Sequence, residues 1–216
     1  MNKRLLAVLM MSFLLALAGC GGGSSGGGSS TLFSTSILSR AAFDGDIQFT
    51  PPNQFTVVQG SPASVFAGID PGTGSEFRAF LDFPLTGAGG VPGNASINSA
   101  TLDIVINSIS ILPAADSIPI RIELVSFPPQ TLLASDFDRS NLQALAFTTI
   151  SPPIARSDVG QHVTVDVTGL MIQAQRLGLP DFQIRILEDD GFVFPGLIEI
   201  DDSTDARAPL LSVSFF

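Results

Sequence analysis

Apolar residues at every second position constrain this chain more than any other feature of it. Ile118, Ile120, Ile122 and Leu124 alternate with Arg121 and Glu123. Val163, Val165 and Val167 alternate with Thr164 and Asp166, and Phe182, Ile184 and Ile186 with Gln183 and Arg185. Residues 79–85, 100–111 and 210–216 carry looser versions, with Phe80 and Phe83 close to the period and Val105 interrupting it. Successive side chains of a strand point to opposite faces, so each run offers one face to a core. Gly, Pro, Asn and Asp clusters separate the runs, and no strand–helix–strand alternation or heptad repeat appears. The pattern predicts an all-β chain folded as an antiparallel β-sandwich. One short helix is expected over Gly169–Leu177, with Leu170, Ile172, Ala174 and Leu177 as its apolar members. Thr168 would cap its start, and Gly178 followed by Pro180 would stop it.

The N-terminus obeys a different rule. Lys3 and Arg4 precede an apolar run from Leu5 to Ala18, which ends in Leu17-Ala18-Gly19-Cys20. That is the layout of a secretory signal peptide. The run is too short to span a bilayer comfortably, which takes roughly 20 apolar residues. The last four residues resemble the lipobox of bacterial lipoproteins, in which the cysteine is diacylated and becomes the new N-terminus. Cys20 is the chain's single cysteine, so it suits an anchor and excludes an intrachain disulfide. A cleaved but unlipidated secretory peptide is the alternative, and it would leave a free thiol. Gly21 after the cysteine, rather than Asp, resembles the Gram-negative default sorted to the outer membrane. Gly21 to Ser30 is a run of Gly and Ser that behaves as flexible coil, roughly 20 Å end to end. The plan is therefore a signal peptide (1–19), a lipidated cysteine and tether (20–40), and one folded domain (41–216).

Charge narrows the partners. Without Lys3 and Arg4, eight cations remain, all arginine, against 20 acids, a formal −12. Nucleic acid rewards clustered cations through counterion release, and anionic lipid attracts them, so neither is expected to bind the folded domain. Seventeen Phe with no Trp or Tyr suits a dry core, because Phe needs no hydrogen-bond partner.

Three segments in order resemble a known family. Phe77-Arg78-Ala79-Phe80-Leu81-Asp82-Phe83-Pro84-Leu85 is followed by Ala95-Ser96-Ile97-Asn98-Ser99-Ala100-Thr101-Leu102. Next comes Val163-Thr164-Val165-Asp166-Val167-Thr168-Gly169-Leu170, and then Ile198-Glu199-Ile200-Asp201-Asp202-Ser203 running to Ala208-Pro209-Leu210-Leu211-Ser212-Val213. Together they resemble the DNRLRE-type jelly-roll domain of extracellular bacterial and archaeal proteins, over about residues 45–216. That domain is similar to a carbohydrate-binding module family described for alginate. The resemblance implies a jelly roll, polysaccharide as ligand class, and a structural calcium of the kind such modules often carry. It also places Arg78 and Arg207 at motif positions. Asp82 and Pro84 depart from the family's usual residues, and the aromatic-rich central stretch of many members is missing.

The residues themselves offer little catalysis. His162 is the only histidine, and outside the Gly/Ser run no G-x-S-x-G elbow exists to present a serine to it. It reads as an ordinary strand residue, and no enzyme activity is expected. Three acidic clusters stand out: Asp44 with Asp46, Glu188-Asp189-Asp190, and Asp201-Asp202 with Asp205. Calcium takes six to eight oxygen ligands, so two clusters brought together would serve. Terminal strands running close together, as the resemblance implies, would put Asp44 and Asp46 near Asp201 and Asp202. The plain alternative is solvated turn carboxylates. Zinc is not credible with one His and an acylated Cys. For an acidic glycan the available cations are Arg78, Arg121, Arg185 and Arg207, each suited to bidentate carboxylate contact. The expected function is a non-catalytic envelope lipoprotein that binds polysaccharide, or else an adaptor that binds another envelope protein. The proline-bearing, weakly patterned segment 126–161 either covers a groove or merely connects sheets.

Overall fold

A computed structural model describes residues 31–60, 63–189, 195–203 and 206–216. The signal peptide, Cys20, the Gly/Ser run, Asp190 and Asp205 lie outside the described residues. The alternating runs become strands: β1 (Phe33–Leu38), β2 (Gly45–Thr50), β3 (Gln54–Gln59), β4 (Ser64–Ile69), β5 (Glu76–Pro84), β6 (Ile97–Ile111) and β7 (Ser117–Ile118). They continue as β8 (Ile120–Val125), β9 (Ala146–Thr149), β10 (Ile154–Ala155), β11 (His162–Asp166), β12 (Asp181–Glu188), β13 (Gly196–Asp201) and β14 (Leu210–Phe215). One helix, α1 (Thr168–Leu177), stands between β11 and β12.

Among the described residues twelve strands form one curled antiparallel sheet, folded over as a jelly-roll sandwich, and β7 pairs with β10 separately. One run follows the order β1-β14-β6-β13-β4, with β11 also on β6. The other follows β3-β2-β5-β12-β8-β9. The 15-residue β6 carries β14 and β11 on its first part and β13 on its last. Between the two runs lies one apolar core, in which Phe83, Ile122 and Ile184 meet Leu102, Ile104 and Leu211. Where β4 crosses β13, Gly68 takes φ +114°, and a Cβ there would lie 2.1 Å from the Gly196 carbonyl oxygen, so only glycine fits.

Several details differ from the sequence reading, each for a local reason. The tether does not extend to residue 40, because Phe33–Leu38 pairs with β14 from Phe33↔Phe215 to Leu38↔Leu210. Its alternation is hidden because Thr35 stands between Phe33 and Ile37 on the inward face, while Leu38 falls on the outward face with Ser34 and Ser36. Pro119 cannot donate to a ladder, and it divides the expected 118–125 strand into β7 and β8. Phe80 and Phe83 take opposite faces of β5, since three positions apart is an odd step on a strand. The helix is where it was expected and ends at Gly178 in the left-handed conformation, φ 63°. Its buried stripe, however, is Leu170, Met171 and Ala174, and Leu177 is exposed. Thr168 does not cap it: its hydroxyl accepts from the Ala100 N–H, 2.9 Å, tying the helix start to β6. No helix among the described residues is long and apolar enough to cross a membrane.

Segment 126–161 settles into a cover for most of its first half. Phe127, Leu132, Phe137 and Leu142 pack with Ile47, Phe80 and Val125 as a second apolar cluster, on the face of the β2-β5-β12-β8 sheet away from the main core. The polar positions of β8 and β12 beneath it, Glu123, Gln183 and Arg185, are therefore buried.

Candidate functional site

A cover without regular secondary structure buries main-chain groups that need partners. The sheet's outward polar side chains supply them. Gln183 Nε2 donates to the Phe127 carbonyl at 3.0 Å, and its Oε1 accepts the Phe127 N–H at 2.9 Å. Gln59 does the same for Pro129 and Leu132. Arg185 Nη1 reaches the Asp136 carbonyl and Nη2 the Leu142 carbonyl, at 2.9 and 3.0 Å. The Arg185 guanidinium also grips Glu123 Oε2 through Nε and Nη2, at 3.0 and 2.6 Å. Arg121 and Arg139 hold the other carboxylate oxygen at 2.9 Å. Burial alone would push the Glu123 carboxyl up, but the bonds and charges of Arg185, with Arg139 and Arg121, hold it below the ordinary range.

At the rim of this cover a concavity of about 430 Å³ opens, lined by Phe49, Phe55, Glu76, Arg78, Phe137, Asp138 and Arg139. Phe49 and Phe55 face each other directly across the β2–β3 hairpin. Their ring centroids are 5.1 Å apart, and Phe137 from the cover completes a triangle at 5.7 and 5.4 Å. Phe55 is 43% exposed, so one aromatic surface of the group is open to solvent. Arg78 forms the floor. Its guanidinium lies 4.0 Å from the Phe137 ring centroid, donates to the Phe137 carbonyl, and pairs with Glu76 at 2.7 Å. Hydrogen bonds from the Ser140 N–H and hydroxyl hold the exposed Asp138 carboxyl below its ordinary value.

Of the four arginines available to a ligand, this site receives one. Arg78 lines it. Arg185 is fully buried, with its donors committed to Glu123 and to the cover's carbonyls, so it cannot contact a glycan. Arg207 lies elsewhere, bonded to Asp201 Oδ2 at 2.7 Å and Asn107 Oδ1 at 2.5 Å. Arg121, the fourth cation considered, stacks 3.6 Å from the centroid of the Phe147 ring. Sequence reasoning missed Arg139 and the three Phe residues. The signal for two of them was present: Phe49 and Phe55 bracket Pro51-Pro52-Asn53, a tight turn that sets them opposite each other. Phe137 sits in a stretch with no periodicity to read. His162 is exposed at the start of β11, with Nδ1 2.8 Å from Asp103 Oδ1.

The four expected metal ligands do not converge as a set: only Asp44 and Asp202 meet. Asp46 accepts from the Phe66 N–H on β4 at 3.3 Å. Asp201 is engaged by Arg207 and by the Ser203 N–H, which hold its carboxyl low against the opposing effect of burial. Asp44 and Asp202 come together, with Ser39 facing both. Among the described residues no group of three acidic, His or Cys side chains is placed to hold a metal ion.

The chain matches no protein-family model and no curated protein sequence.

Proposed function

We propose that this chain is a non-catalytic envelope lipoprotein, carried on an acylated Cys20 at the outer membrane, whose domain binds polysaccharide at the Phe49–Phe55–Phe137 concavity. The observation that carries the reading is an aromatic surface flanked by charged hydrogen-bonding groups. A sugar ring offers an apolar C–H face to Phe55 and hydroxyls to Glu76, Asp138 and Arg139. The motif resemblance to the DNRLRE-type domain supports the ligand class. The local charge refines it. Two carboxylates stand beside a floor arginine already paired with Glu76, and the more open Arg139 is held by Glu123. A polyuronate would meet those carboxylates, so a neutral glycan suits the site better than alginate.

The test is binding of the purified protein to neutral glucans, mannans and galactans, with alginate as the polyuronate. Phe55→Ala removes only a partly exposed ring. It should cost about 1–2 kcal/mol of stability through its contacts with Phe49 and Phe137, leave the protein folded, and weaken glycan binding roughly tenfold, about 1.4 kcal/mol. Glycan binding indifferent to Phe55→Ala would move the site elsewhere, and no binding to any glycan would overturn the reading.

A second reading, an adaptor for another envelope protein, is favoured by β3. Its residues Gln54–Gln59 carry no charge, and Phe55, Val57 and Val58 are exposed on an edge that, among the described residues, pairs only with β2. Such an edge accepts an added strand from a partner. Replacing Val57 with Lys would abolish that mode and spare glycan binding.

A further inference from the structure

The outer face of the β3-β2-β5-β12-β8-β9 run carries an exposed aromatic at each side. Phe55 stands on β3 at one edge and Phe147 on β9 at the other. Residues directly opposite in a ladder share a face, and Phe147 lies opposite Glu123, which Arg185 ties to the cover. Phe147 is therefore on the same side of the sheet as the Phe49–Phe55 pair. The ground between the two rings is continuous. Arg139, which lines the concavity, reaches Glu123 Oε1 at 2.9 Å, and Arg121 holds the same oxygen at 2.9 Å. Arg121 in turn places its guanidinium 3.6 Å from the centroid of the Phe147 ring. The run is six strands wide, which at about 4.8 Å per spacing sets its edges roughly 20–25 Å apart.

We infer that Phe147 is a second sugar platform, and that one extended neutral glycan chain lies from Phe55 across Arg139 and Arg121 to Phe147. This rests on the glycan reading above and adds chain length to it. A single sugar ring covers a small fraction of the distance between the platforms, so only several rings in a row engage both. Arg121 packs against the Phe147 ring and steadies it, while the exposed remainder of the ring is open to the C–H face of a sugar. A platform already held in place loses less freedom on binding. Each arginine along the strip has a carboxylate beside it: Arg78 has Glu76, Arg139 has Glu123, and Arg121 has Glu123 and, at 3.7 Å, Asp189. Such pairs present donors and acceptors to hydroxyls without a net field, which suits an uncharged chain. A protein partner would call for a contiguous apolar patch, and here single rings are separated by ion pairs.

The experiment measures binding of the purified protein to mannan, glucan and galactan, each set against its own disaccharide. The polymer that binds should do so at least about tenfold more tightly than its disaccharide. Phe147→Ala should weaken the polymer roughly tenfold and leave the disaccharide unchanged, whereas Phe55→Ala should weaken both. Phe147→Trp enlarges the platform and should keep polymer binding. The chain has no other tryptophan, so the introduced indole should change its emission with the polymer and not with the disaccharide. Polymer binding unaltered in Phe147→Ala, or an indole blind to bound polymer, would overturn the second platform and leave the Phe55 site standing. A disaccharide bound as tightly as its polymer would do the same. No binding to any of the glycans would overturn both readings together.

Discussion

The two faces of the β2-β5-β12-β8 sheet are both buried, but by different chemistry. On the inner face Phe83, Ile122 and Ile184 meet apolar side chains from β6 and β14, and every contact is non-directional. On the outer face Gln183, Arg185 and Glu123 stand where alternation placed polar residues, and a loop closes over them. An apolar face tolerates any partner of the right volume, whereas the outer face recognises its cover carbonyl by carbonyl. The inner face supplies adhesion, and the outer face fixes one conformation of a segment that has no ladder of its own.

If that contrast is right, breaking either face is comparably costly for unlike reasons. Phe83→Ala should lose about 3–5 kcal/mol through transfer and cavity terms. Arg185→Met keeps much of the volume and should lose about as much, because it strips Glu123 of its main partner and orphans the carbonyls of Asp136 and Leu142. Denaturant titration of both variants checks this. An Arg185→Met protein within about 1 kcal/mol of wild type would show that the cover is only hydrophobic in origin.

A smaller effect separates the faces by pH. Glu123 has a folded value held below its unfolded one, so its contribution is fully present above the unfolded pKa, about 4.3, and is lost as pH falls through the folded value. Glu123→Gln should therefore cost about 1.5–3 kcal/mol at neutral pH, and the gap from wild type should narrow below about pH 4. Denaturant midpoints measured from pH 7 to 3 decide it, and a gap constant with pH would refute the electrostatic account. Phe83→Ala should show no such convergence.

The smallest effect lies at the open rim of the outer face. Phe147 is 58% exposed and touches Arg121 through its ring. Phe147→Ala should cost about 0.5–1 kcal/mol, a cation–π contact with little burial behind it, again read from the denaturant midpoint.

What was legible in the sequence follows the same division. The inner face was written in alternation: Phe182, Ile184 and Ile186 point where their spacing says, and so do Ile120, Ile122 and Leu124. The outer face obeyed the same spacing, yet its environment was not legible, because a polar residue on a strand looks alike under water and under a loop. From its spacing Arg185 reads as a cation open to a ligand, yet it is among the most enclosed side chains of the described residues. The concavity depends on Phe137 meeting Phe49 and Phe55, a contact between a hairpin and an unpatterned segment some 80 residues later that no local period encodes. Among the acids, residue type was informative and pairing was not: Asp44 and Asp202 meet, while their neighbours Asp46 and Asp201 turn to other partners.

The ladder of β1 on β14 also sets an order of events. The Ser36 and Ser212 hydroxyls lie 3.2 Å apart although 176 residues separate them along the chain. Among the described residues β1 pairs with β14 alone, and β14 pairs in turn with β6. β1 is thus synthesised long before the strand it docks on, and until β14 is available its Phe33 and Ile37 have no ladder to join. Long-range closure of this kind makes folding slow and leaves an apolar segment open meanwhile. Closure of the domain is therefore gated by β14: a chain truncated before Leu210 would lose the pairing of β1 along with β14 itself.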